Sequence, residues 1–275
     1  MLASITPVIL TCNEAPNIAR TLERLQWAGD IVVVDSFSGD STLSILARFP
    51  RVRVFQRRFD THANQWNYAL DETGIETEWV LALDADYLLT DEFVAELQLL
   101  SPGADIGGFR AGFRYCVCGR PLRGAVYPPV TVLYRRKGAS YRQDGHTQRV
   151  AVPGSVRCLK YPILHDDRKP LGRWVLAQDR YMRLEARKLK GSSFRELGWA
   201  DRLRKMLFFA PAVMFAYCLF VRGAILDGRA GLYYGMQRMF AEMLLSLYLM
   251  HDDLGLCDAH EEPKPNQLQD GSSSS

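Results

Sequence analysis

Apolar and polar positions alternate in two periods along the first hundred residues. Ile5 to Leu10 is a β-rich apolar run, and after it Ile18, Leu22 and Leu25 recur at helical spacing behind Pro16, which suits a first helical turn. Ile31 to Val34 is nearly continuous in apolar residues, the pattern of a strand buried on both faces. The same reasoning predicts helices over Ser41 to Phe49, Ala63 to Leu70 and Glu92 to Leu100, with strands over Val52 to Phe55 and Trp79 to Leu83. This βαβα repetition predicts an α/β fold with a mainly parallel, doubly wound sheet.

From Gly107 to about Leu164 the texture changes to strand-like stretches broken by Gly and Pro, among them Phe109 to Val117, Val130 to Arg135 and Arg149 to Val152. From Leu171 it becomes helical. Residues 171–205 hold ten Lys/Arg against four Asp/Glu, a local balance of +6 inside a chain whose total is only +3. Met206 to Val221 then carries sixteen residues without a charge, interrupted by Pro211. Sixteen falls short of the roughly 20 residues that span a bilayer. Leu232 to Met250 is again apolar, apart from Gln237, Arg238 and Glu242. Two such segments behind a basic helix read as a hairpin at a membrane interface, with cations facing anionic lipid. The alternatives are the core of a helical subdomain and the interface of a homo-oligomer. The expected division is 1–170, 171–260 and a disordered tail over 261–275.

Composition narrows the class. At 275 residues, 48% apolar and 24% charged, the chain buries a core and is neither disordered nor collagen-like. A mean hydropathy of -0.12 argues against a multispanning protein. The small total charge gives no reason to expect a nucleic-acid partner. Six scattered cysteines and the lack of a signal-like segment favour a reducing cytosol. The isolated pair Cys116 and Cys118 lacks a second pair at zinc spacing.

The chemistry gathers at strand ends. Trp79-Val-Leu-Ala-Leu-Asp-Ala-Asp86 ends an apolar strand in two carboxylates, and period two predicts that Asp84 and Asp86 point the same way. Open parallel sheets bind ligands beyond the carboxyl ends of their strands, and two hard oxygen ligands suit Mg²⁺ or Mn²⁺. The first strand runs into Thr11-Cys-Asn-Glu-Ala-Pro-Asn17, and the second into Val34-Asp35-Ser-Phe-Ser-Gly-Asp-Ser-Thr42. Neither loop contains a dinucleotide-binding or P-loop glycine pattern. Asp35 has the chemistry to accept from a base or ribose donor, or to serve as an ordinary loop aspartate. Leu164-His-Asp-Asp-Arg-Lys-Pro170 groups a histidine, two carboxylates and two cations just before the basic helix. It reads as a closing loop or as a solvated linker.

These motifs, in this order over about the first hundred residues, resemble glycosyltransferase family 2 and its GT-A nucleotide-sugar-binding fold. They are Asn13-Glu14, Val32-Val-Val-Asp35 with Ser38-Gly-Asp40-Ser-Thr42, Gln65-Trp-Asn67 and Leu83-Asp-Ala-Asp86. Within the family the chain looks most like the lipopolysaccharide core β-1,4-glucosyltransferase branch, through Leu-Asp-Ala-Asp, the segment around His146 and Arg222-Gly-Ala-Ile-Leu-Asp-Gly228. It departs from that branch at Tyr87, where Glu is usual, and at Asp144-Gly-His-Thr-Gln-Arg149, where His-Glu is usual.

The resemblance implies an inverting, metal-dependent hexosyltransferase. Its donor would be a nucleotide-sugar, first a UDP-sugar, and its acceptor a lipid-linked or lipopolysaccharide-type glycan at the inner face of the cell membrane. It implies a donor site built from Thr11, Asn13, Glu14, Asp35, Ser36, Asp40, Gln65, Asn67, Asp84, Ala85 and Arg168, with Lys169 a further cation for phosphate. It implies a metal at Asp86 and Asp84; the clustering in Leu164 to Pro170 adds His165 as a ligand to metal or diphosphate. Candidates for proton transfer are Asp144, then His146, with Asp166 in the closing loop. A nucleotidyltransferase is the enzymatic rival, and Thr11 to Asn17 lacks its Gly-rich, Arg-containing loop. A noncatalytic, membrane-associated nucleotide-sugar-binding protein is the other.

Overall fold

The computed structural model describes residues 1–144, 147–193, 195, 197–207 and 209–254. The expected tail over 261–275 and His146 lie outside the described residues.

The N-terminal half runs β1 (Ile5–Thr11), α1 (Ile18–Glu23), β2 (Ile31–Asp35), α2 (Thr42–Leu46), β3 (Val52–Gln56), α3 (His62–Glu72), β4 (Trp79–Asp84), β5 (Tyr87–Leu88) and α4 (Asp91–Leu99). Two helix starts have a local cause: Thr61 and Thr90 accept hydrogen bonds from the Asn64 and Phe93 N–H groups, capping α3 and α4. Strands follow as β6 (Ile106–Ala111), β7 (Phe113–Val117), β8 (Arg120–Pro121), β9 (Val130–Arg135), β10 (Ser140–Asp144), β11 (Thr147–Ala151), β12 (Ser155–Cys158) and β13 (Ile163–His165). The helices α5 (Leu171–Gly191), α6 (Trp199–Lys205), α7 (Phe209–Ala216) and α8 (Gly228–Asp253) complete the chain.

The central sheet has seven strands in the order β12-β6-β9-β4-β1-β2-β3. β1 pairs in parallel with both β2 and β4, while β9 runs antiparallel to β4 and β6. The expected mainly parallel, doubly wound α/β sheet is present. The central strands β1, β2 and β4 are apolar on both faces because both are covered. Ile5, Ile9, Val33, Leu81 and Leu83 pack on one face with Ile18, Leu22 and Phe93. Val8, Val32, Val34 and Val80 pack on the other with Trp66, Ala69 and Leu70 of α3. Each such side chain contributes about 1.5–3 kcal/mol on burial.

Winding outward through β2 and β3 and then returning to β4 makes the β1/β4 boundary the topological switch point. The loops after Thr11 and Asp84 therefore open at one place. A second sheet of order β5-β13-β7-β8 stands beside it. Phe109 to Val117 is divided at Gly112, so that β6 joins the central sheet and β7 the second. The strands β5 and β13 were not foreseen; two and three residues are too short to show a period.

In the C-terminal region, α5 and α8 share a core of Met182, Ala186, Leu189, Ala241, Leu245 and Leu249. Arg204 of α6 is ion-paired with buried Glu242 and Glu185, tying three helices together. No single helix among the described residues is long and apolar enough to cross a membrane. The pair Phe209–Val221 and Ala224–His251, bent by 71°, passes that test together by length and composition.

Candidate active site

The site is built where β4 stops. Asp84 is its last residue, and Ala85 and Asp86 form a turn before β5. The two carboxylates are thus a strand end and a turn position rather than two positions of one strand. The turn nevertheless brings them close enough to interact: burial and the neighbouring Asp86 push the Asp84 carboxyl above the usual range. Burial acts in the same direction on Asp86, but His165 outweighs it and holds Asp86 low.

His165 ends β13, antiparallel to β5, in register with Tyr87. Its Nε2 lies 3.2 Å from Asp86 Oδ2. Burial opposes a charged imidazole, yet Asp86 and Asp84 outweigh it and raise its pKa. The Tyr87, Tyr115 and Tyr127 rings stand edge-on to it at 5.2, 5.1 and 5.1 Å. Tyr87, the departure from the usual Glu, bonds Tyr127 through its hydroxyl at 2.9 Å and also reaches Asp84.

The described residues contain no group of three or more His, Cys, Asp or Glu side chains able to hold a metal ion. The local chemistry still fits a divalent cation shared with a ligand. Asp86 Oδ1 is buried without a hydrogen-bond partner, and Asp84 adds a second carboxylate. Mg²⁺-type sites commonly use one or two carboxylates and complete their shell from phosphate and water.

The loop after β1 lies opposite. Asn13 adopts a left-handed φ of 58°. Its N–H donates to Ser38 Oγ at 2.8 Å, and its Oδ1 accepts from the Gly39 N–H at 2.8 Å. Glu14 pairs with Lys169 at 2.5 Å. Burial pushes Glu14 up to about 7, with Lys169 and Asn17 pulling it back. Burial opposes the Lys169 charge, but Glu14, Asp86 and Asp167 hold the ammonium firmly protonated.

Several other expected donor contacts are already engaged within the protein. Asp35 is fully buried and accepts from Thr11 Oγ1 at 3.0 Å and from the Ser38 N–H at 2.9 Å. Ser36 Oγ accepts from Gln65 Nε2 at 2.8 Å, while Gln65 Oε1 accepts from Arg57 at 2.6 Å. Asp40 accepts from the Thr42 and Ala15 N–H groups at 3.0 and 3.2 Å, holding the two loops together. Asn67 forms a two-way amide bridge with the Tyr141 backbone, 3.0 Å to its carbonyl and 2.7 Å from its N–H. These contacts fix the loops after β1 and β2 and tie α3 to β10.

The segment after β13 is also an organiser. Asp166 is buried and accepts from Arg20 at 2.7 Å, from Arg168 Nε at 2.9 and 3.0 Å and from the Gly119 N–H at 3.1 Å. Burial alone would raise its pKa, but the two guanidinium groups hold it low. Asp166 is thereby a structural anchor, not a free acid or base. Arg168 is occupied by Asp166, so the cation facing the carboxylates is Lys169. Asn17 accepts from the Arg168 N–H and donates to Asp167, and Arg173 donates to the Asn13 carbonyl. Arg20, Asn17, Asp167 and Tyr127 gave no local sign of these contacts, because their partners lie far away in sequence.

Asp144 ends β10 and pairs with Arg149 at 2.6 Å and Lys188 at 3.0 Å. Lys188 foremost, opposed by partial burial and helped by Arg149, keeps its carboxyl below the usual range.

Residues 6–101 match the family described as glycosyl transferase family 2. The chain is 27% identical over 244 residues to the lipopolysaccharide core biosynthesis glycosyltransferase LpsC of Rhizobium meliloti, covering 82% of this chain and 84% of that protein. It is 29% identical over 143 residues to an uncharacterized glycosyltransferase of Rickettsia bellii, of which it spans about half, 48%. Among solved structures it is similar to S. aureus TarS 1-349 in complex with UDP-GlcNAc, at 14% identity and a TM-score of 0.47, covering 91% of this chain and 92% of that one. It is also similar to glucosyl-3-phosphoglycerate synthase from Mycobacterium tuberculosis in complex with Mn2+, UDP and phosphoglyceric acid, at 14% identity and a TM-score of 0.45, covering 68% and 77%.

Proposed function

We propose that this chain, whose residues 6–101 match glycosyl transferase family 2, is a glycosyltransferase that moves a hexose from a UDP-sugar to a lipopolysaccharide-type or lipid-linked acceptor. The observation carrying this reading is the pair of half-buried Asp84 and buried Asp86 at the β1/β4 switch point, with one unpartnered Asp86 carboxylate oxygen and Lys169 attracting it. The relative from lipopolysaccharide core biosynthesis supports the acceptor class.

Asp86 and Asp84 would hold Mg²⁺ or Mn²⁺, which when bound supplies Lewis-acid neutralisation of the departing nucleoside diphosphate. Lys169 adds a fixed positive charge on the same side, leaving Glu14 for the diphosphate. His165 holds the Asp86 carboxylate in place. The loops fixed by Asp35, Asp40 and Gln65 form the walls for the nucleoside. An inverting transfer needs a base on the opposite side of the sugar from the leaving group. Asp144 takes that role in this reading: its ion pairs keep it deprotonated, at the expense of intrinsic basicity, and Lys188 and Arg149 must loosen as the acceptor arrives.

The C-terminal region carries the membrane contact at the inner face. Phe220, Val221 and Leu226 at the bend are 68%, 71% and 71% exposed. Along α8, Leu232, Met236, Phe240, Met243 and Leu247 repeat at helical spacing on an exposed face. Basic residues of α5, including Arg180 and Arg187, add attraction to anionic headgroups.

The donor class is tested by thermal protection with a panel of nucleoside diphosphate sugars, with and without Mn²⁺. A ligand that binds only the folded state raises the melting temperature. UDP-sugars protecting with Mn²⁺ support the reading; protection by none of the panel overturns it.

A further inference from the structure

The stretch Arg222-Gly-Ala-Ile-Leu-Asp-Gly228 forms the bend before α8, far in sequence from the paired carboxylates. Its inner side is fastened to the segment between β8 and β9. Arg222 donates from Nε and Nη2 to the Ala125 carbonyl at 3.1 and 2.8 Å. Asp227 Oδ2 accepts from the Arg123 and Gly124 N–H groups at 2.8 and 3.4 Å. The Tyr234 hydroxyl accepts from the Val126 N–H at 2.9 Å. Backbone groups of four consecutive residues, 123–126, are thus satisfied by the C-terminal hairpin, where an irregular loop would ordinarily turn to water.

The two backbones are also in direct contact. A Cβ on Gly124 would fall 2.4 Å from the Arg222 carbonyl and 2.5 Å from the Ala224 nitrogen, so this close approach needs glycine. Leu122, Ala125, Cys218 and Tyr234 bury an apolar cluster around the contact.

The next residue is Tyr127. Its hydroxyl lies 2.9 Å from that of Tyr87, and its ring packs 5.1 Å from His165 and 4.9 Å from Phe113. His165 Nε2 in turn lies 3.2 Å from Asp86 Oδ2, and Tyr87 follows Asp86 directly in the chain. A series of contacts therefore leads from the helical bend to the Asp86 carboxylate. We propose that residues 222–227 are a clasp that sets Tyr127, with Arg222 and Asp227 as positioning residues for transfer. This rests on reading Asp84 and Asp86 as the donor-side carboxylates. The chemistry needs the clasp because a small misplacement of positioning groups is costly to rate even when it originates far from the reacting atoms.

The test uses the full chain labelled at histidine. Three tyrosine rings around His165 displace its NMR signal by ring currents, and His165→Gln identifies that signal. Asp227→Ala is expected to move the His165 signal, and Asp227→Asn, which keeps a carbonyl oxygen for the two N–H groups, to restore it. Asp227→Ala should lower kcat roughly tenfold with donor KM within about twofold. Combined with Tyr127→Leu it should add little to the loss from Tyr127→Leu alone, because both act through one ring. An unmoved His165 signal in Asp227→Ala, or losses that multiply in the double variant, overturns the proposal. If the wild-type chain transfers no sugar, the functional reading fails by itself, while the His165 signal still decides whether the clasp sets the ring.

Discussion

Asp166→Ala separates an anchor from a reacting group. The carboxylate is 3% exposed and collects Arg20, Arg168 and the Gly119 N–H. Removing one partner of a buried ion pair costs about 3–5 kcal/mol. The Arg20 and Arg168 side chains are 30% and 40% exposed and can rehydrate. That lowers the expected loss to about 2–3 kcal/mol. At roughly 2–4 °C per kcal/mol for a protein of this size, the melting temperature should fall by about 4–12 °C.

The sign of the pH dependence follows from the lowered pKa of Asp166. Its stabilisation is present above the ordinary Asp value of about 4 and is lost as pH falls through the lower folded value. The melting-temperature gap between wild type and variant should therefore be full at neutral pH and narrow on acidification. Calorimetry across pH, beside turnover, checks both. A variant with an unchanged melting temperature and abolished transfer would refute the anchor role and return Asp166 to the chemistry.

Three further outcomes follow from the same geometry. Lys169→Ala should raise the donor KM roughly tenfold, the loss expected for one charge-assisted contact to diphosphate, in steady-state kinetics at fixed Mn²⁺; an unchanged KM would remove Lys169 from the donor side. Asn67→Ala breaks the bridge to Tyr141 and should cost about 1–3 kcal/mol in denaturant unfolding, with donor KM within about twofold; a selective rise in KM would make it a donor contact instead. The folded full chain should float with anionic vesicles, less so at high salt, and Phe220→Ser with Leu226→Ser should weaken flotation; equal flotation of wild type and variant would contradict the proposed membrane face.

What was legible in the sequence is the part governed by local periodicity. The runs at Ile5, Ile31, Val52 and Trp79 are strands, and the segments between them are helices, because burial on both sheet faces leaves an apolar imprint. The position of Asp84 at a strand end follows from the same imprint. The turn at Ala85 and Asp86 did not, because the apolar run carries no sign of where the strand stops. Side-chain partners were the least legible. Nothing near Asn67 in the sequence points to its bridge with Tyr141, and nothing near Asp166 points to Arg20, 146 positions away. Composition showed cations at Arg168 and Lys169, but only the fold shows which of them Asp166 takes.

Asp84 and Asp86 are proposed to bind a nucleoside diphosphate through a divalent ion. Titration calorimetry of UDP into the full chain, with and without Mn²⁺, in wild type and Asp86→Asn, tests this directly. The predicted result is wild-type affinity at least roughly tenfold tighter with Mn²⁺, about 1.4 kcal/mol, and loss of that increment in Asp86→Asn. UDP affinity that ignores both Mn²⁺ and the substitution would contradict it.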